Sequence, residues 1–264
     1  MKQQHFRPGT FPFALPVIFS NFVFMKILLT TLMCCFFSLI GTAQGSFAWG
    51  VKGGITAGFQ QWNSYEQDPL FKYHGDLYIE SYDSPDANAL FAQIGYHVKG
   101  SALRNRNGRT LTGDIFRLST RTFEFNNASF STGFKQRFDV GAKKAYYLVG
   151  LRADYTLSTN LSDYDNLGNG TNRFFYPFDD FVRKFNYGIT GGAGMEFMFG
   201  DLIGGVIEFS LAPDISFQYE QPAIGNVYDP FTGNDRNIPE RRIRNFAAEI
   251  SVGFRFLRIV EYVD

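Results

Sequence analysis

From Trp49 onward the chain alternates apolar and polar side chains with a period of two, the spacing that sends successive residues to opposite faces of a β-strand. The first run sets Trp49, Val51, Gly53, Ile55, Ala57 and Phe59 against Gly50, Lys52, Gly54, Thr56, Gly58 and Gln60. A weaker second run over 71–82 shares Phe71, Tyr73, Leu77 and Ile79 on one face. The third alternates Leu90, Ala92, Ile94, Tyr96 and Val98 with Gln93, Gly95, His97 and Lys99. In the fourth, Ala128, Phe130, Thr132, Phe134, Gln136 and Phe138 share a face, while Phe123 and Phe125 fall out of phase. A one-residue slip at Asn126-Asn127 would account for that as a β-bulge.

Four further runs follow. Tyr147, Val149, Leu151, Ala153, Tyr155 and Leu157 oppose Arg152, Asp154 and Thr156. The stretch FNYGITGGAGMEFMFG, 185–200, keeps an apolar or small residue at each odd position, and its glycines invite a phosphate-loop interpretation. No helix signal follows them and the alternation continues through them, so the segment predicts a strand. Ile207, Phe209, Leu211, Ile215, Phe217 and Tyr219 then oppose Glu208, Ser210, Asp214, Ser216 and Gln218. The last run sets Phe246, Ala248, Ile250, Val252, Phe254 and Phe256 against Glu249, Ser251, Gly253 and Arg255.

Eight runs of about 10–14 residues match the length of strands that cross a bilayer. Their connections sort by length. Those after runs two, four and six are short (84–88, 139–143 and 200–204), and those after three, five and seven are long and polar (101–117, 159–184 and 220–242). The loop after run one, 61–70, is intermediate. A soluble sandwich has no comparable reason to segregate its loops. The pattern predicts an all-β, eight-stranded antiparallel up-and-down transmembrane β-barrel, with short periplasmic turns, long extracellular loops, and aromatic residues clustered at run ends as interfacial girdles.

Composition agrees. The chain holds 31 Phe and 27 Gly, and aromatics make up 18% of its 264 residues. Its 25 basic and 25 acidic residues balance, so no whole-chain field points to nucleic acid. Upstream, MKILLTTLMCCFFSLIGTAQ has Met25, Lys26, the apolar stretch 27–40 and the small-residue site Gly41-Thr42-Ala43. That is the layout of a secretory signal peptide cleaved after Ala43, with Met25 as the start and 1–24 as upstream sequence. The alternative is a membrane anchor interrupted by Pro12 and Pro16. Cleavage leaves 44–264 as one barrel domain. Loss of Lys2, Arg7 and Lys26 then leaves 22 basic against 25 acidic residues. Both cysteines, Cys34 and Cys35, leave with the signal, which removes disulfide and thiolate-metal chemistry.

Several of these segments together resemble a known family: the signal ending in TAQ, WGVKGGITAGF, HVKGS closing the third run, GFKQRF, and YGITGGAGMEF. Over about 45–258 the chain is similar to the small eight-stranded outer-membrane barrels of the PorT-like/OmpA-like superfamily. The resemblance implies an outer-membrane address in a Gram-negative cell. Its PorT branch carries an association with type IX protein secretion and gliding. The out-of-phase fourth run and the tail RIVEYVD, which does not end on an aromatic residue, depart from the family pattern.

The polar faces supply the candidate chemistry. Lys52, Lys99, Arg152, Asp154, Glu196, Glu208, Glu249 and Arg255 would face a lumen just wide enough to be filled by side chains, as would His97, Lys135, Arg137 and Asp214. Buried charges must pair, which predicts an ion-pair plug over a gated ion path. Glu196 should meet Lys52, Arg152 or Arg255. A catalytic Ser/His site fits poorly, because the alternation turns His97 inward; no catalytic, cofactor or metal role is expected. The acids Asp163, Asp165, Asp179 and Asp180, with Asn169, do not reproduce a Ca²⁺ loop spacing. In the same loop Phe174, Phe175, Tyr176, Phe178 and Phe181 suggest a contact surface for a protein partner or the headgroup layer. The basic cluster IPERRIRN, 238–245, has two possible counter-charges: lipopolysaccharide, or the rim acids Asp229, Asp235 and Glu240. A narrow channel, an outer-membrane enzyme and a soluble lipid-binding barrel are the alternatives to a structural or partner-binding barrel.

Overall fold

The computed structural model describes residues 46–63, 66–81, 88–109, 112–141, 143–164, 176–229 and 233–258. The signal segment, the turn 82–87, Asp165, Asn169, Phe174, Phe175 and the tail beyond Arg258 lie outside the described residues.

Among the described residues, thirteen strands run in chain order. Eight are long: β1 (Phe47–Trp62), β2 (Asp68–Ser81), β3 (Ala89–Leu103), β6 (Arg121–Val140), β7 (Lys143–Thr159), β8 (Phe185–Met198), β9 (Ile203–Pro213) and β13 (Arg241–Arg258). Each pairs antiparallel with the next, and β1 pairs with β13 from Phe47↔Arg258 to Trp62↔Ile243, which closes the ring. Closure leaves no unpaired edge. The expected eight-stranded up-and-down barrel is therefore the fold. The short strands belong to the long connections. β4 (Asn107–Arg109) pairs with β5 (Ile115–Arg117), β11 (Ile224–Asp229) pairs with β12 (Asn234–Ile238), and β10 (Tyr219–Gln221) extends the upper end of β13. Among the described residues, the 3₁₀ turns Leu161–Tyr164 and Asp179–Phe181 occupy the connection after β7.

The outer face is apolar along every stave: Ile55, Tyr73, Leu77, Ile94, Phe134, Val149, Leu151, Ile189, Phe209, Ile250 and Val252 are all exposed. Val98, expected with them, is covered. It lies where β2 carries one extra residue against β3, between Pro69↔Ser101 and His74↔His97. Trp49 stacks on Phe256 at the short-turn end, and Phe59 meets Phe246 toward the long-loop end, with centroids 4.6 and 5.9 Å apart. Three aromatics expected in the girdles instead point inward: Trp62, Tyr146 and Tyr219 are buried.

The fourth long strand corrects another expectation. Phe123 and Phe125 share the inward phase of Asn127, Ser129 and Ser131, and β6 pairs with β3 without a break from Arg121 to Lys135. The one-residue irregularity at Asn126/Asn127 does exist, but its extra residue sits in β7, where Leu157 is passed over between Thr156 and Ser158. Inward phenylalanines need no slip when the strand outruns the polar lumen. They build an apolar cluster with Trp62, Leu161, Tyr164, Tyr219 and Ile243 that caps the long-loop end.

Tyr219 reaches that cap because the pairing of β9 with β13 is interrupted after Asp214. Asp214 N donates to Asn245 O at 3.0 Å and Gln218 N to Ile243 O at 2.9 Å, so 215–218 stand opposite Arg244 alone. The bulge flips the phase and turns Tyr219 from the outer to the inner face.

Truncating Phe123, fully buried in the cap, to Ala is expected to cost roughly 3–5 kcal/mol, the range for large-to-small changes in well-packed cores. Ile189→Ala on the outer face should cost clearly less. Denaturant unfolding of the two variants in detergent checks the difference.

Candidate functional site: a filled, ion-paired lumen

The alternation that makes the outer face apolar sends every second residue inward, and the inward set carries the charged and amide side chains of the staves. Space for them comes from glycine. A Cβ at Gly50 would overlap the Tyr78 ring, and one at Gly194 would overlap the ring of Tyr146. Gly194 and its neighbours in the 185–200 segment therefore serve lumen packing, on the sixth of the long strands.

At the short-turn end, two carboxylates serve three cations. Glu80 of β2 meets Lys135 Nζ at 2.9 Å, Arg137 Nη2 at 2.5 Å and Arg255 Nε at 2.7 Å. Glu196 of β8 meets Lys135 at 2.5 Å, Arg137 at 3.2 Å and Arg255 at 3.8 Å. Of the three partners expected for Glu196, the structure supplies Arg255; Lys52 and Arg152 go elsewhere. Lys135 Nζ also lies 3.9 Å from the centroid of the Tyr146 ring. One step deeper, Lys52 of β1 pairs with Glu208 of β9 at 2.6 Å, and Tyr146 donates its hydroxyl to the other Glu208 oxygen at 2.8 Å. The cavity beside these groups has a volume of about 10 Å³, room for about one water.

The middle tier is built on two stacked histidines, His74 and His97, with ring centroids 5.3 Å apart. His97 stands between Glu249, 2.8 Å from Nδ1, and Asp76, 2.9 Å from Nε2. Only the imidazolium donates from both nitrogens. His74 is held by hydroxyls, Thr56 Oγ1 at 2.9 Å and Ser251 Oγ at 2.7 Å.

Above them, Lys99 of β3 pairs with Asp154 at 2.5 Å and Asp214 at 3.4 Å. Arg152 of β7 joins the same two acids, 3.1 Å from Asp154 through Nε and paired with Asp214 through Nη2. A neutral layer closes the series: Gln60 donates to Asn245 (2.9 Å), Asn245 to Gln218 (2.8 Å), Gln218 to Thr156 (2.6 Å) and Thr156 to Asn127 (2.9 Å). Trp62 then donates Nε1 to Gln60 at 3.0 Å, so the amide layer runs directly into the aromatic cap.

All twelve lumen residues expected from the alternation are buried, and all make ion pairs. His74, Asp76 and Glu80 were not anticipated there. The signal was available: they share the parity opposite Tyr73, Leu77 and Ile79 in the weakly patterned second run. Below the cap the lumen holds seven buried carboxylates (Asp76, Glu80, Asp154, Glu196, Glu208, Asp214, Glu249) against six lysines and arginines. An imidazolium at His97 makes the sum zero, as a dry compartment demands.

Of the loop aromatics, Tyr176 and Phe181 are half-buried against the cap, Tyr176 with its centroid 5.4 Å from that of Tyr164 and Phe181 6.3 Å from that of Tyr219. Phe178 packs on Phe181 at 5.1 Å. These rings are engaged within the protein. Among the described residues, exposed apolar side chains of the long connections include Ile115, Phe116 and Leu118 at the β4–β5 hairpin, Ile215 after β9, and Tyr228 on β11.

A closed antiparallel ring of eight strands, apolar outside and ion-paired inside, defines an outer-membrane type of β-barrel. The chain belongs to the outer membrane protein β-barrel domain family, which it matches over residues 42–220. Among solved structures it is similar to outer membrane protein OprG of Pseudomonas aeruginosa, at 10% identity and a TM-score of 0.45, covering 80% of this chain and 96% of that one. It is similar also to neisserial surface protein A (13% identity, 81% and 99% covered, TM-score 0.41). A third is the outer membrane protease OmpT of Escherichia coli (8% identity, 82% and 98% covered, TM-score 0.40). No curated protein sequence matches the chain.

Glu80→Gln removes the charge that faces three cations and leaves them to Glu196 alone. The expected loss is roughly 3–5 kcal/mol, the cost of breaking a buried pair from one side. The drop in denaturant midpoint, with the folded barrel monitored by its heat-modifiable gel mobility, measures it.

Proposed function

We propose that the protein is a non-enzymatic outer-membrane barrel with a plugged lumen, which works through its long extracellular loops as a structural or partner-binding component. The observation that carries this reading is the continuous stack of ion pairs, amides and aromatic rings across the barrel interior. Each tier bridges staves that are not ladder neighbours, and the cavity of about 10 Å³ at the short-turn end admits about one water and no hydrated ion. With the interior committed to packing, recognition falls to the exterior. The exposed Ile115, Phe116, Leu118 and Tyr228 on the long connections are the residues offered to a protein partner. The lumen histidines favour no enzyme, because His97 is shielded from solvent and from lipid between two carboxylates. The chain's resemblance to PorT-like barrels makes a secretion complex the first place to seek that partner. Export through the segment 25–43 would deliver it to the outer membrane.

Planar-bilayer recording of the refolded chain should show no steady single-channel steps. Reproducible steps of one conductance would overturn the plugged reading in favour of a narrow porin-like channel.

A further inference from the structure

The bulge between β9 and β10 also sets up an unusual position on the outer surface. Opposite residues 215–218, Arg244 of β13 points outward and pairs across the ladder with Gln61 of β1. Phe217 lies over its guanidinium at 4.6 Å. Nearby cations are neutralised: Arg242 meets Glu240 at 2.5 Å and Glu220 at 3.8 Å, and Arg183 also pairs with Glu220. Arg244 makes no ion pair among the described residues, and its Nε is shielded from solvent without a hydrogen-bond partner. A guanidinium carries five donors, and leaving a shielded one unmatched is costly.

Next along the same outer face, toward the membrane, comes the aromatic pair Phe59 and Phe246, at the level where aromatic belts meet lipid headgroups. Beside Arg244 opens a groove of about 700 Å³. On the outer face it is lined by Phe59, Phe246 and Gln61, the ladder partner of Arg244, and toward the cap by Trp62, Asn63 and Gln67. Gln67 Nε2 has no hydrogen-bond partner among the described residues. Glu66 also lines the groove. It can accept sugar hydroxyls, and it repels a phosphate from its own side toward Arg244.

An unpaired outward guanidinium just above an aromatic belt, next to a groove lined by aromatic rings and amides, has one matching class of ligand. We propose that Arg244 and this groove bind a phosphorylated glycolipid of the outer leaflet. The guanidinium takes the phosphate in a bidentate fork, Gln61 takes a sugar hydroxyl, and Phe59 and Phe246 take the first acyl methylenes. This inference rests on the outer-membrane embedding proposed above.

The test uses the full chain in detergent micelles, with heat-modifiable mobility confirming the fold of each variant. It is titrated with lipopolysaccharide, with enzymatically dephosphorylated lipopolysaccharide and with phosphatidylglycerol micelles. Arg244→Gln should weaken lipopolysaccharide binding by about tenfold, the loss of one charge-assisted contact. It should leave binding of the dephosphorylated form unchanged. Arg244→Lys, which keeps the charge and loses the fork, should fall between Arg244→Gln and the unmodified chain, and Arg242→Gln should bind nearly as the unmodified chain does. Equal lipopolysaccharide affinity of Arg244→Gln and the unmodified chain would overturn the site. So would an Arg242→Gln defect as large as that of Arg244→Gln, which would mean diffuse rim charge. Phosphatidylglycerol binding of the same strength and the same Arg244 dependence would overturn the glycolipid assignment. Failure of the unmodified chain to fractionate with outer membranes would instead strike the embedding on which the inference rests.

Discussion

A charge on one of these staves has a single tolerable direction. The outer face meets hydrocarbon, where an ionised side chain is costly, and the inner face meets a lumen too narrow to hold bulk water. Every inward charge must therefore find its counter-charge within the barrel, in most cases on a stave that is not its neighbour. The sheet ladder bonds only neighbours, whereas Glu80 on β2 reaches β6 and β13, Lys52 on β1 reaches β9, and Lys99 on β3 reaches β7. Backbone hydrogen bonds close the cylinder, and ion pairs fix what fills it. A register slip of one residue in any stave would expose charges to lipid and drive phenylalanines into the ionic interior, so pairing and register specify each other.

The rest of the architecture follows from the length of that ionic zone. It ends at the amide layer of Gln60, Asn245 and Gln218. Beyond it the staves continue above the apolar band and their inward residues become aromatic. There the interior has no membrane around it and is held by ordinary hydrophobic burial, with Leu161 and Tyr164 from the connection after β7 completing the cap. The loops are thus fastened to the barrel through the same inward face that carries the charges lower down.

Much of this was legible in the chain. Period-two alternation marks all eight staves, and the inward charges follow from parity alone, down to Glu196 beneath a run of glycines. What escaped has physical reasons. Glu80, Asp76 and His74 belong to the stave with the weakest contrast, whose one-residue surplus against β3 blurs the phase near Pro69. The inward turn of Phe123 and Phe125 contradicts the rule that apolar faces outward, because that rule lapses where a stave leaves the membrane. Tyr219 depends on a four-residue bulge that no local pattern announces. Partner choice was equally hidden: parity puts Glu196 and Lys52 on the same inner surface, but only the stagger of the staves sends Lys52 to Glu208 and brings Lys135, Arg137 and Arg255 to Glu196.

The central claim, that charges in a dry lumen are held by one another, is tested most directly by a double-mutant cycle on Lys52 and Glu208. Unfolding free energies in detergent are compared for Lys52→Met, Glu208→Gln and the double variant. The account predicts that each single change strands a buried group and costs roughly 3–5 kcal/mol, with the double variant costing far less than the sum. Single-variant costs that add to within about 0.5 kcal/mol would mean that the two groups act independently, and would contradict it.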